Sequence, residues 1–287
     1  MKRKIVKQGA ATMTVSLPAS WIRKFNLMQG DDIEVQETGK SLVMTTESQL
    51  RTEEAAIDIT GKNRGYIFRK ILGLYCAGTD KITIKHQNQL ELIREITDRL
   101  IGFGMVKQEK TLCIIQDLSG ITNIDFNIIY RRCFRLLIEQ SESMLDLVKN
   151  NKQLKQIVIM DYSLNQFTDY CLRYLSKRGH EDFQKTPSYY HVICEIEYIG
   201  DIMSRLYRVY EPKRKKDTII FLEKIDRLIK DFYGVCFNMD EDKGAHIIDE
   251  CKKMRHEYID SDNPAITNLL QIVSVIKNTF NTVLSLN

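Results

Sequence analysis

The stretch Val192-Ile193-Cys194-Glu195-Ile196-Glu197-Tyr198-Ile199-Gly200-Asp201-Ile202-Met203-Ser204-Arg205-Leu206 sets the architecture of most of this chain. Val192, Ile196, Ile199, Met203, Leu206 and Tyr210 recur at spacings of three and four, the repeat of one helix face. Moving outward, the same rhythm appears at Phe126, Ile129, Cys133, Leu136, Gln140, Met144 and Leu147, and again at Ile157, Met160, Leu164, Phe167, Cys171 and Tyr174. Beyond the break at Pro212 it resumes with Leu222, Ile225, Ile229, Phe232, Cys236 and Met239. A shorter helix is expected from Lys243 to Tyr258, and a last one carries Ile266, Leu269, Val273, Ile276, Phe280 and Val283. Such spacing drives left-handed bundle packing. Three helices lie on each side of Glu211-Pro212-Lys213-Arg214-Lys215-Lys216, which predicts two three-helix bundles in tandem over 121–287.

Upstream, residues 49–120 alternate between periods. Ala56 to Thr60 reads as a strand, Arg64 to Cys76 as a helix, Lys81 to Lys85 as a strand and Gln89 to Ile101 as a helix. Met105 to Gln108 and Leu112 to Gln116 form a hairpin, completing a small α/β unit. Gly102-Phe103-Gly104 lacks the third glycine and the strand-to-helix setting of a dinucleotide loop.

Residues 1–48 are β-rich. A strand begins at Lys4-Ile5-Val6-Lys7-Gln8, and Met13-Thr14-Val15-Ser16-Leu17 alternates up to Pro18, which cannot donate to a ladder. Two helical turns follow from Ala19 to Phe25, then a turn from Asn26 to Asp32. Ile33 to Gln36 and Leu42 to Thr45 are strands joined by Gly39-Lys40. Four short strands and one short helix are too little for an independent core, so an intertwined dimer is expected.

Charge and cysteine usage narrow the function. From Met1 to Gly30 there are six basic residues, Lys2, Arg3, Lys4, Lys7, Arg23 and Lys24, and no acidic one. Uncompensated cations attract polyanions, chiefly nucleic acid or anionic lipid. The seven cysteines are dispersed, odd in number and without a C-x-x-C pair, so reduced thiols in a cytoplasm are expected. No apolar run reaches the length of a membrane span, and no membrane insertion is expected. No G-x-S-x-G, phosphate loop or Cys/His pairing supports catalysis, and His86, His180, His191, His246 and His256 lack metal spacing, so the chain does not read as an enzyme.

Lys4-Ile5-Val6-Lys7 through Thr14-Val15-Ser16-Leu17-Pro18 to Leu27-Met28-Gln29-Gly30-Asp31-Asp32-Ile33-Glu34-Val35 resembles the SpoVT/AbrB family. The resemblance covers about 45 residues and implies a dimer whose chains exchange hairpins and present cations to DNA. Lys7 matches the cation of the first strand and Arg23 one on the helix after the proline; Thr14 stands where many members carry Arg. The helical part resembles the PhoU family of phosphate-uptake regulators through Ile196-Glu197-Tyr198-Ile199-Gly200-Asp201, where Glu197 and Asp201 correspond to that family's E-x-x-x-D metal motif. Asp161-Tyr162-Ser163-Leu164-Asn165 is a weaker echo, with Asn where an acid is usual, and Val275-Ile276-Lys277-Asn278-Thr279 offers no acidic pair in the last helix. The order is similar to that of archaeal fusion regulators. The implied fold is multidomain α+β: an AbrB-like swapped-hairpin domain over 1–48, an α/β unit over 49–120 and a PhoU-like six-helix domain over 121–287.

Each site also has an ordinary reading. The basic N-terminus is a DNA surface or a solvated face, with Lys2, Arg3, Lys4 and Lys7 placed for phosphates and Arg23 and Lys24 for a groove. With Ile196 and Ile199 in the core, Glu197 and Asp201 fall on an outer surface, where Arg205 would balance them. The functional reading gives Glu197, Asp201, Asp161 and Asn165 a divalent metal such as Mg²⁺, Mn²⁺, Fe or Zn²⁺. Lys213-Arg214-Lys215-Lys216 reads as a solvated loop or an anion contact, and His191 and Glu195 as a weak pair. Two functional classes follow. One is a homodimeric, DNA-binding transcription regulator linked to phosphate uptake or metal homeostasis. The other is an adaptor that regulates a phosphate transporter or signalling kinase through protein contacts.

Overall fold

The computed structural model describes residues 2–9, 11–38, 41–46, 53–119, 125–150 and 156–286. The chain is mixed α and β, mostly helical, and divides into two compact units, 1–52 and 53–287.

In the first unit, β1 (Val6–Gln8) pairs antiparallel with β2 (Thr12–Thr14), Val6 opposite Thr14. Pro18 leads into α1 (Ala19–Lys24), whose last turn carries Arg23 and Lys24 where cations suit the helix dipole. Asn26 and Gly30 adopt positive φ, and the Asp31 carboxylate accepts a 2.7 Å hydrogen bond from the Met28 amide, closing the turn. β3 (Ile33–Thr38) then pairs antiparallel with β4 (Ser41–Thr46), with Thr38 opposite Ser41 and Ile33 opposite Thr46; the turn expected at Gly39-Lys40 lies outside the described residues. Val15, Ser16 and Leu17 are not in a strand, because their alternation finds no ladder partner among the described residues. The two hairpins form separate two-stranded sheets. Of the residues in this unit whose exposure is described, none is buried; Ile5 and Met28 are 73% and 78% exposed.

The second unit begins with β5 (Glu54–Asp58), α2 (Arg64–Cys76), β6 (Lys81–Lys85), α3 (Leu90–Arg99), β7 (Phe103–Gln108) and β8 (Leu112–Asp117). The sheet order is β5-β6-β8-β7, with β5 and β6 parallel and the other pairs antiparallel. The Asn63 side chain caps α2 by accepting from the Tyr66 amide. Ile67, Ile71, Ile82, Ile84, Ile93 and Ile115 fill the core between helices and sheet.

Six helices follow: α4 (Phe126–Lys149), α5 (Gln156–Arg178), α6 (Thr186–Val209), α7 (Lys215–Phe237), α8 (Glu241–Tyr258) and α9 (Pro264–Leu284). α6 runs along α9 and α4 along α7, while α5 flanks α4 and α6 and α8 flanks α7 and α9. The two groups of three share one continuous apolar core. The α/β layer is fixed to α5 by a buried cation. The Arg173 guanidinium, 2% exposed, donates to the carbonyls of Tyr75 and Thr79 and to the carboxylates of Asp80 and Asp117, at 2.6–3.1 Å. Lys177 adds a second ion pair to Asp80.

Candidate functional site

α5 carries Asp161, Asn165 and Asp169 four residues apart, on one face. α6 carries Glu197 and Asp201 in the same way, and Gly200 between them. The outer-surface expectation for Glu197 and Asp201 does not hold: both are partly buried. The reason is that α6 packs on α4, α5 and α9 together, burying Ile193 and Ile202 as well as Ile196 and Ile199, so little of the helix is left outside. The acids therefore lie in the groove between α5 and α6, joined by Asp161 and Asn165, which are 8% and 7% exposed.

Gly200 allows this close approach. A Cβ there would lie 2.4 Å from Leu164 Cδ2, 3.2 Å from Asp161 Oδ1 and 3.4 Å from Gln140 Oε1. Gln140 reaches the groove from α4, donating to the Gly200 carbonyl at 3.3 Å, and Asn165 Nδ2 donates to Asp161 Oδ2 at 3.3 Å. Three buried oxygens then have no hydrogen-bond partner: Gln140 Oε1, Asp161 Oδ1 and Asn165 Oδ1. Unsatisfied buried acceptors are costly, on the order of 1–3 kcal/mol each, so they call for a donor or a cation.

The groove is electrostatically frustrated. Burial, then repulsion from Asp201, Asp169 and Asp161, pushes Glu197 up to about 7. Burial and then Asp201 push Asp161 up to about 6, against the pull of Gln140, Asn165 and Arg99. Burial also raises Asp169, opposed by the guanidinium of Arg99, the last residue of α3, whose Nε and Nη2 donate to Asp169 Oδ2 at 3.2 and 3.0 Å. Arg205 gives Asp201 no ion pair among the described residues; its Nε donates to the Asp201 backbone carbonyl at 3.0 Å, and its guanidinium lies 5.6 Å from the Tyr198 ring. An all-oxygen set with orphaned acceptors fits a hard divalent cation. Among the described residues no three His, Cys, Asp or Glu side chains already stand in metal-binding range, so a cation would draw on the two amide oxygens or pull the carboxylates inward.

Gln140, Asp169 and Arg99 were not singled out from the sequence. Two had a signal: Gln140 interrupts an apolar stripe, and Asp169 continues the four-residue spacing of Asp161 and Asn165. Arg99 had none, because its role depends on how α3 docks against α5.

The basic residues of the first unit form a second candidate surface. Lys2, Arg3, Lys4 and Lys7 are exposed on and before β1, and Arg23 and Lys24 on α1. No ion pair involves any of the six among the described residues; Arg23 Nε donates to the Ala19 carbonyl, and Lys24 Nζ sits 5.4 Å from the Phe25 ring centre. The other basic stretch differs. Lys213 pairs with Glu211, Arg214 with Glu211 and Asp262, and Lys215 donates to the Lys149 carbonyl. His191 and Glu195 approach to 3.3 Å on the surface of α6.

No family profile, curated protein or solved structure matches the chain. No helix among the described residues is long and apolar enough to cross a membrane.

Proposed function

We propose that this chain is a dimeric DNA-binding regulator, AbrB-like at its N-terminus, whose PhoU-like helical part responds to a divalent cation or to phosphate status. The observation that carries the DNA reading is the set of six exposed cations without ion-pair partners among the described residues, on a unit with no acid over its first thirty positions. Clustered cations of this kind bind the phosphate backbone and release its counterions. Dimerisation follows from burial: two separate hairpins and a six-residue helix, with no buried side chain among those whose exposure is described, do not stabilise themselves in water. A second chain would supply the missing pairing and cover.

In the helical part, Glu197, Asp201, Asp161 and Asn165 would hold the cation, with Gln140 as a neutral donor. A bound Mg²⁺, Mn²⁺, Fe or Zn²⁺ would supply charge neutralisation to the groove. The effect of occupancy on DNA affinity is the regulatory step of this reading.

Fluorescence anisotropy with duplex DNA tests the proposal. Affinity should fall by orders of magnitude between about 50 and 200 mM salt. Replacing Lys7 and Arg23 together by Ala should abolish binding, while Lys213→Ala leaves it intact. Unchanged binding by the double variant overturns the DNA reading in favour of an adaptor acting through protein contacts.

A further inference from the structure

Four carboxylates share the α5–α6 groove, and the guanidinium hydrogen-bonded to one of them comes from the α/β layer. Arg99 closes α3, is 14% exposed in its side chain, and lies 4.9 Å from the Phe68 ring. Its charge is near enough to favour the ionised forms of Asp161 and Glu197 as well as that of Asp169, which it touches. The end of α3 is held further by Gln166 Nε2, which donates to the carbonyls of Arg99 and Asp98 at 3.2 and 3.4 Å, and by Ile101, which packs against the helical core. The hydrogen-bonding partners on α5, Gln166 and Asp169, lie next in sequence to Asn165, whose Oδ1 is orphaned like Asp161 Oδ1.

The opposite side of the same interface is built differently. Arg173, one helical turn beyond Asp169, is saturated by two carbonyls and two carboxylates from α2, β8 and the turn before β6. That anchor involves none of the groove acids. The α/β layer is therefore fixed at Arg173 by an ion-pair network outside the groove, whereas at Arg99 the charged partner is a groove acid, beside the neutral contact from Gln166.

We propose that Arg99 is a built-in competitor for the divalent cation of this groove, so that cation binding frees the α3 end of the α/β layer while the Arg173 anchor holds. The inference rests on the cation-binding reading above. A doubly charged ion beside Asp161 repels the guanidinium and draws Asp169 and Glu197 toward itself, which removes the hydrogen-bonded partner of Arg99. With the ion absent, Arg99 offsets part of the acid repulsion and keeps the layer docked. The two arrangements exclude one another, and this links occupancy of the helical groove to the position of the layer next in sequence to the N-terminal unit.

The test uses the full chain, with Mn²⁺ alone as the probe. Calorimetry gives affinity for the wild type, Arg99→Met and Arg99→Lys, and amide hydrogen exchange is followed with and without saturating Mn²⁺. Removing a unit positive charge from a partly buried site should tighten Mn²⁺ binding by about tenfold or more in Arg99→Met. Arg99→Lys, which keeps the charge, should stay within about threefold of wild type. In the wild type, Mn²⁺ should speed exchange in the last turn of α3 and leave β6 and β8 unchanged. Binding by Arg99→Met but not by the wild type also supports the inference. Should the wild type bind Mn²⁺ with Arg99→Met no tighter and α3 exchange unchanged, Arg99 is a bystander and only this inference fails. If neither protein binds at millimolar Mn²⁺, the cation reading fails with it. Should Arg99→Met not fold, the wild-type exchange experiment decides alone: faster exchange in α3 on binding supports the inference, and no change overturns it.

Discussion

Replacing Glu197 by Gln should stabilise the cation-free protein at alkaline pH and have only a small effect at pH 5. Burial and the charges of Asp201, Asp169 and Asp161 raise the folded-state pKa of Glu197 from 4.5 to about 7. Between these values the folded form binds a proton that the unfolded form has released. Stability therefore falls as pH rises through this window, and the full penalty is present above pH 7. A shift of this size corresponds to about 3 kcal/mol at 1.36 kcal/mol per unit, and partial contact with water reduces it to about 1–2 kcal/mol. Asp161, raised from 3.8 to about 6, shares part of the same repulsion, so relieving one acid relieves the other and the two penalties do not add. For a domain of this size, about 1–2 kcal/mol is a rise of roughly 2–8 °C in Tm. Thermal denaturation in chelator at pH 5 and pH 8, wild type against variant, isolates this group from the chain's other titrations. An equal Tm change at both pH values, or a fall at pH 8, would refute the reasoning.

Three further substitutions probe neighbouring elements. Arg173→Met leaves Asp80 and Asp117 without their shared cation in a buried interface, and should cost about 3–5 kcal/mol in a denaturant titration; a loss under about 1 kcal/mol would show that the anchor is dispensable. Gly200→Ala forces a methyl to within 2.4 Å of Leu164, and should destabilise by about 1–3 kcal/mol and weaken Mn²⁺ binding by separating α5 from α6; unchanged melting and affinity would count against the close approach. Asn165→Asp adds a charge beside Asp161, and should tighten Mn²⁺ binding while lowering cation-free Tm at pH 8; calorimetry showing weaker binding would remove Asn165 from the cation's ligands.

The helical half was legible because its stripes are long. Phe126 through Leu147 and Ile157 through Tyr174 repeat over five or more turns, and α4 and α5 follow them. The α/β layer was legible for another reason: Asn63 and Gly78 bracket α2, and Lys81–Lys85 alternates so that Ile82 and Ile84 face inward. The first unit was harder. Val15, Ser16 and Leu17 carry strand alternation, but a strand exists only where a neighbour offers a ladder, and periodicity does not say which chain provides it. The continuity of the six-helix core was likewise hidden. A three-and-four spacing marks the apolar face of a helix without revealing that α6 is covered on several sides.

The site was half legible for that same reason. The acid pair on α6 and the Asp-Asn pair on α5 are each visible as spacings of four, and each alone reads as surface charge. Their meaning changes once α5 and α6 pack face to face through Gly200. Two pairs that water would have screened then stand in a partly buried groove, with three acceptor oxygens unsatisfied and two carboxylates raised toward neutrality. A fold selected only for stability would replace such a cluster, since apolar residues of similar volume pack at lower cost than unpaired acids. Two buried charges elsewhere in the same unit are matched: Arg173 is saturated by four acceptors, and Asp226 is met by Ser141 and Lys230. Only where a ligand supplies the missing charge does the arrangement become consistent with its surroundings. The gathering of three unsatisfied acceptors and two raised carboxylates in one groove is the physical argument for function there.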